Sequence, residues 1–486
     1  MKQIIKSILY IVSVLWIAGC SNEETVTGNI PPNGILIEVE VPRTDGWNTE
    51  ENIGTRTEAT KVIKHKGKDG LDMEINIQSD FTGTTTGNTT TRWTNLDDNI
   101  IFRVVAYESA TISGISTSNY VGYGDYKLSG NTIQTIKSLI VPMGTYTFVC
   151  YSYGNSNTIP TFTNSSTSVS AVNGQNFMTY IKSNVTINNL GSKYTLNNIA
   201  FKHQCVRYRV QAIAQNGRMG KITACSGTVN LPYNKAIYNF NKDACTLQAS
   251  TESVNVTWNN PNAMNVYSNY IYLLPQPNSM LTVSLSLTIG GKVFTNKSVT
   301  VSGPLTLSRN YMYCSNVLFT TTQGYIIRGA FWANGNLYYD GSFKIYGGMY
   351  DFSTVKGHDF WRWGALYPTS AYVSTSPWAQ DPCQQVSSIN SWRLPTITEY
   401  TSLLNGYSGY ITENGKSGAK FDNILFFPAT GYYHPDGNYS KPQRGLYWSS
   451  TGRRMLDFMI DNTYTPIING SNHQDNYMTI RCVRAD

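Results

Sequence analysis

The chain has 486 residues, too many for one hydrophobic core, and its length suggests about three domains. Only 14% of residues are charged against 41% apolar, and short alternating runs between turn clusters outnumber long 3.6-period segments, a secreted, mainly β texture. The net charge of +7 comes without a basic run interleaved with aromatics, so nucleic acid is not an expected partner; the excess suits a surface field that attracts acidic glycans or cell surfaces.

The chain opens with Lys2 and Lys6, an apolar run from Ile8 to Ile17, and the small residues Ala18 and Gly19 before Cys20. A run this short does not span a bilayer and fits a signal peptide over 1–20. Ile17-Ala18-Gly19-Cys20 resembles the lipobox of bacterial lipoproteins, which implies diacylation of the Cys20 thiol and attachment to the outer membrane through the lipid. Ser21-Asn22-Glu23-Glu24 resembles the surface-export signal of Bacteroides-type lipoproteins.

A polar tether ends at Pro31-Pro32-Asn33-Gly34, and Ile35–Val41 then alternates, with Ile35, Ile37, Val39 and Val41 on one face and Glu38 and Glu40 on the other. Further strands are expected over Leu71–Ile77, Asn99–Tyr107 and, after a turn at Pro142-Met143, to Cys150. A second β unit begins near Ile199 with the strand Phe201–Val210 and continues through Ile271–Pro275, Leu281–Ile289 and Lys292–Val301. Gly290-Gly291 between the last two is a two-residue hairpin signal.

After about residue 323 the texture changes, since six of the ten tryptophans (332, 361, 363, 378, 392 and 448) fall there. Thr396-Ile397-Thr398-Glu399 fits a capping box, Tyr400, Leu403 and Leu404 form an apolar helical stripe, and Asn405-Gly406 stops it. An α+β domain is therefore expected over 323–486.

Residues 21–322 resemble the fimbrillin family of Bacteroides-type pilus subunits, on Trp93-Thr94-Asn95-Leu96-Asp97-Asp98, the Val141–Cys150 and Phe201-Lys202-His203 strands, and Leu273-Leu274-Pro275 with its hairpin. The resemblance implies two transthyretin-like β-sandwiches, over 57–195 and 196–322, behind a tether and removable first strand at 21–56. It further implies that an arginine-directed protease removes that strand and that a strand from another pilus subunit fills the apolar groove left behind. Arg56 in Gly54-Thr55-Arg56-Thr57 is the candidate cut and Arg43 the runner-up. An open edge above an apolar floor invites strand addition, which satisfies backbone groups and apolar surface together.

Residues 323–486 resemble the FISUMP family, whose fold is C-type-lectin-like, on Trp392-Arg393-Leu394-Pro395-Thr396, Leu425–Gly431, Gly445–Thr451 and Ile480–Arg484. That resemblance implies a Cys383–Cys482 disulfide. The pairing state of Cys150, Cys205, Cys225, Cys245 and Cys314 stays open, and no cysteine has zinc-ligand spacing. Calcium-dependent sugar binding lacks its signature, His434-Pro435-Asp436 being at best a weak echo.

The five histidines (65, 203, 358, 434 and 473) are scattered, and HExxH, GxSxG, phosphate-loop and nicotinamide motifs are absent, so neither an enzyme nor a cofactor is expected. Trp361 and Trp363, beside His358-Asp359, either stack on sugar faces of a host or bacterial ligand or pack the core with Arg362 solvated. The chain runs only four residues past Cys482, so its last strand is expected to be stapled into its own domain rather than donated. Together these features describe a surface adhesin at a fimbrium tip. The rivals are a standalone lipid-anchored lipoprotein or pilus anchor, favoured if 21–56 is retained, and a glycan-processing enzyme, which needs a convergent acid/base pair.

Overall fold

A computed structural model describes residues 34–47, 63–67, 69–79, 93–163, 166–189, 193–249, 252–370, 380–386, 392–461, 464–470 and 475–485. It opens with strand β1 (Ile35–Val39), whose alternation is realised as three buried apolar side chains with Leu36 and Glu38 half-buried between them. β1 is the middle of a three-stranded sheet, antiparallel to Leu139–Val141 and parallel to Lys193–Leu196. Facing it is an eight-stranded sheet in which β2 (Arg43–Thr44) lies between Thr94–Asn95 and Ala200–His203. The order then runs through Met178–Ile187, Gly144–Ser152, Ile101–Tyr107, Tyr120–Ser129 and Thr132–Lys137.

This large sheet is covered on both faces. Ile35, Ile37 and Val39 meet Phe102, Val104, Phe148 and Phe201 on one side. On the other, Val105, Tyr107, Val149 and Tyr151 meet Ala236, Tyr238 and Phe240. Hence Ile101–Tyr107 is buried at every position rather than alternating. Its one charged member, Arg103, is held by both oxygens of Asp125 at 2.6 and 2.8 Å and lies over the Tyr123 ring.

The second body stacks two sheets around one apolar core. One sheet contains Ser253–Thr257, Ile222–Asn230, Gln276–Ile289 and Lys292–Leu307. The other contains Asn265–Tyr267, Ile271–Leu273, Val206–Ala214 and Met312–Thr320, and it takes in β3 (Ile63–His65) and β4 (Asp72–Ser79). β4 pairs antiparallel with Met312–Thr320 from Asp72 opposite Thr320 to Ser79 opposite Tyr313. Ile63–His65 and Asp72–Ser79, expected in the first sandwich, thus belong to the second. Conversely Tyr233–Asn239 and Ala244–Ala249, expected in the second, join Ser168–Val172 over the first body's large sheet. Strand partners are set by matching apolar faces and free backbone edges, which adjacency in sequence does not specify.

The third body brings Val483–Arg484 back between Ala330–Ala333 and Trp392–Arg393. Helix α1 (Ile397–Leu404) starts from both capping-box bonds: Glu399 N donates to Thr396 Oγ1 at 3.2 Å and Thr396 N donates to the Glu399 carboxylate at 2.7 Å. Bodies two and three are joined by backbone bonds, with Gly220 N to Ile326 O at 2.8 Å, Ile326 N to Arg218 O at 2.9 Å and Gly329 N to Gly290 O at 2.7 Å. Gly290 has φ +55°, and a Cβ there would lie 2.3 Å from Ile326 O, so the hairpin glycine serves both the turn and this close approach.

Candidate functional site

The position with the clearest capacity for a binding event is the slot that β1 occupies. Both neighbours of β1 use it as their partner in the three-stranded sheet, so taking it away would leave two facing edges about 10 Å apart, twice the usual strand spacing. The slot floor is apolar, built from Phe102, Tyr126, Phe148 and Phe201. Polar contacts fix the register: Tyr126 Oη donates to Ile37 O at 2.9 Å, Glu40 N donates to Leu196 O at 3.1 Å, and Lys193 pairs with Glu38 at 2.6 Å.

Downstream of β1 the chain stays anchored. Arg43 N donates to Ile199 O at 2.9 Å, and both edges of β2 are paired, so a protease reaching Arg43 must first peel β2 away. Arg56, like Cys20, lies outside the described residues. Asp45 and Trp47 are site residues that motif reading missed. Asp45 is buried, and its carboxylate accepts from His203 N at 3.3 Å and from Asn310 Nδ2 at 2.9 Å. Burial pushes this carboxyl up to about 6 against opposing help from the His203 N–H and Lys202. Trp47 stacks on His203 at 3.9 Å and on Tyr272 at 5.9 Å, and burial lowers the His203 imidazole to about 4 with Arg207 adding to the effect. Only the polar-aromatic Asp45-Gly46-Trp47 signature hinted at this, because the partners are more than 150 residues away in sequence.

In the third body, Cys383 and Cys482 form a disulfide. The sugar-stacking expectation for Trp361 and Trp363 is corrected: neither has any exposed surface, and both pack with Trp448, Met478 and the disulfide in the core. Their aromatic area is worth more to the core than to a wet surface. The accessible rings lie on the hairpin of Leu337–Tyr339 and Phe343–Ile345, where Tyr339, Phe343 and the exposed Tyr367 cluster within 5.1–5.4 Å. Asp359, buried and raised by desolvation, is committed to Ser353 N at 2.7 Å, Tyr346 Oη at 3.1 Å and His358 Nδ1. A cleft of about 840 Å³ separates bodies two and three, and the Arg328 guanidinium on its wall is bound bidentately by Asp422 at 2.8 and 2.5 Å. Among the described residues there is no cluster of His, Cys, Asp or Glu able to hold a metal. Burial raises the Cys245 thiol to about 11 and the Cys225 thiol to about 12, so both are poor nucleophiles.

The slot thus combines an apolar floor with two strand edges that the seated β1 satisfies. The fimbrillin-like family model matches residues 84–328, half of the chain, and the chain belongs to that family. Membership marks a structural protein rather than an enzyme. No curated protein matches it. Among solved structures, a candidate cell-adhesion protein of Bacteroides fragilis is 15% identical, covers 59% of this chain and 97% of its own, and superposes with a TM-score of 0.39. The tip fimbrial protein Mfa3 of Porphyromonas gingivalis, truncated at its C-terminus, is 11% identical over 46% of this chain and 94% of its own, TM-score 0.27. A fimbrial protein of Bacteroides vulgatus is 12% identical over 45% and 91%, TM-score 0.28.

Proposed function

We propose that the chain is a cell-surface adhesin serving as the tip subunit of a fimbrillin-type pilus. In this reading 1–20 is a signal peptide, Cys20 carries the lipid that first holds the chain at the outer membrane, and a cut after Arg56 frees the segment 21–56. A strand from a neighbouring pilus subunit then occupies the β1 slot. The single observation that carries the reading is the placement of β1 as the middle strand of a three-stranded sheet over an apolar floor, upstream of the candidate cut.

The rest of the chain fits the scheme as two transthyretin-like sandwiches, nominally 57–195 and 196–322 with the strand exchange described above, and a C-type-lectin-like domain over 323–486. The return of Val483–Arg484 between earlier strands and the Cys383–Cys482 bond support that last assignment. The same strand is paired on both sides within its own body, which supports reading this subunit as one that accepts a strand. The third body is then presented to a ligand, a glycan or protein of host or bacterial origin, with Tyr339, Phe343 and Tyr367 as its accessible aromatic faces.

A second reading, a lipid-anchored lipoprotein or pilus anchor that keeps its first strand, is favoured by the full seating of β1, with paired edges on both sides and the Glu38–Lys193 ion pair. Mass spectrometry of the mature N-terminus on surface-recovered protein separates the two. A start at Thr57 is expected for the tip subunit; a diacylated Cys20 on an intact chain overturns it in favour of the anchor.

A further inference from the structure

The N-terminal segment has two attachments, and the β1 slot is only one of them. Six residues beyond Val39 the segment crosses the seam between the first and second bodies. There Asp45 N donates to Phe201 O at 2.9 Å, tying it to the first body, while its carboxylate accepts from Asn310 Nδ2 at 2.9 Å in the second. Asn310 stands at φ +63° in the turn before Met312–Thr320, and its backbone N–H donates to Cys205 O at 2.8 Å, which fixes the backbone from which its side-chain amide reaches Asp45. Trp47 bridges in the same sense, its ring stacked at 3.9 Å on His203 at the end of a first-body strand and at 5.9 Å on Tyr272 of a second-body strand. The His203 ring is held by the first body through its Nδ1, 2.8 Å from Asn176 Oδ1, while its Nε2, 3.3 Å from Thr44 Oγ1, contacts the N-terminal segment itself.

We propose that this seam is a second recognition site, for an acidic residue followed two positions later by an aromatic ring, and that the strand which replaces β1 must carry both. Its occupant is an extended segment of another polypeptide whose apolar alternation fills the β1 slot and whose acidic and aromatic residues follow at the spacing of Asp45 and Trp47 from β1. The chemistry follows from what the seam offers once emptied. Two donors, the His203 backbone N–H and the Asn310 side-chain amide, meet the two oxygens of one carboxylate, with the positive charges of Lys202 and Arg207 nearby. Two ring faces, His203 and Tyr272, accept a flat aromatic. An apolar strand without these groups would leave both donors unmatched, so the seam discriminates among strands that the groove alone accepts.

The inference rests on the strand-replacement reading, and its test separates the two. A specific protease sequence is inserted between Ile53 and Gly54 of the full chain, the folded protein is cut, and displacement of the N-terminal fragment by synthetic peptides of residues 34–47 is followed by native mass spectrometry. The unaltered peptide is expected to exchange in, and peptides with Asp45→Ala or Trp47→Ala are each expected to bind at least about tenfold more weakly. An Ile37→Ala peptide reports the groove alone. On the receptor side, Asn310→Ala is expected to weaken the unaltered peptide yet cost the Asp45→Ala peptide nothing further, a coupling that general loosening of the fold does not produce. If the Asp45 and Trp47 peptides bind as well as the unaltered one while Ile37→Ala weakens binding, the seam site is overturned and strand replacement stands. If no peptide exchanges, strand replacement fails and the seam site fails with it.

Discussion

Replacing Asp45 by asparagine isolates a proton balance built into the seam. In the folded chain burial lifts the Asp45 carboxyl to about 6 and lowers the His203 imidazole to about 4. In the unfolded chain they revert to about 3.9 and about 6.5. Between pH 4 and 6 the folded state therefore holds one proton, on Asp45, and the unfolded state also holds one, on His203. Equal proton numbers mean no pH slope from this pair. Asp45→Asn leaves His203 alone, with its folded value depressed below its unfolded one. The unfolded state then binds the extra proton below about 6.5, so stability is lost as pH falls and levels off near 4, by up to about 3 kcal/mol at about 1.4 kcal/mol per pK unit. His203→Gln leaves Asp45 alone, a carboxyl raised on folding, and stability instead rises as pH falls from about 6 to about 4, by a similar amount. Both side chains are nearly inaccessible, so salt screens the effect little. The assay is urea unfolding at pH 7, 6, 5 and 4.5, each variant read as its difference from the parent so that other titrating groups cancel. Slopes of the same sign in the two variants, or a flat Asp45→Asn difference, refute the proton balance.

Two further outcomes test the third body. Replacing Cys383 and Cys482 by alanine reopens a span of 99 residues, and the chain-entropy model gives a loss of about 4–5 kcal/mol, read as a lower urea midpoint for this body. Arg481 is fully buried and donates to Ala333 O, Asn334 O, Met349 O, Phe426 O and Asn336 Oδ1; Arg481→Met strands these acceptors and is expected to cost about 3–5 kcal/mol, followed through the fluorescence of the neighbouring core tryptophans.

Much of the local structure was legible because its cause is local. Ile35–Val39 alternates with the period of a half-buried strand, and the structure places it so. Thr396 and Glu399 sit at capping-box spacing and make both bonds. Gly290-Gly291 turns a two-residue hairpin, both residues at positive φ. The Ile101–Tyr107 strand was legible as a strand, but its burial at all seven positions follows from a second covering sheet built from Ser168–Val172 and the distant Tyr233–Asn239 and Ala244–Ala249.

What the amino-acid sequence determined by itself was therefore much of the local inventory, the alternating Ile35–Val39 strand, the capped helix and the Gly290-Gly291 turn, since φ/ψ preference, side-chain period and caps act within a few residues. The run Phe201–Val210, expected as one strand, is split between Ala200–His203 in the first body and Val206–Ala214 in the second. The tertiary structure alone decided who pairs with whom. It sent Ile63–His65 and Asp72–Ser79 into the second body and 233–249 onto the first, because a strand edge is satisfied by any backbone in register and only the assembled apolar faces select one. It took Trp361 and Trp363 out of the surface, since a tryptophan carries the same pattern signal whether it meets water or Trp448. And it made Asp45 and Trp47 a site, which exists only where two bodies meet around His203, Tyr272 and Asn310.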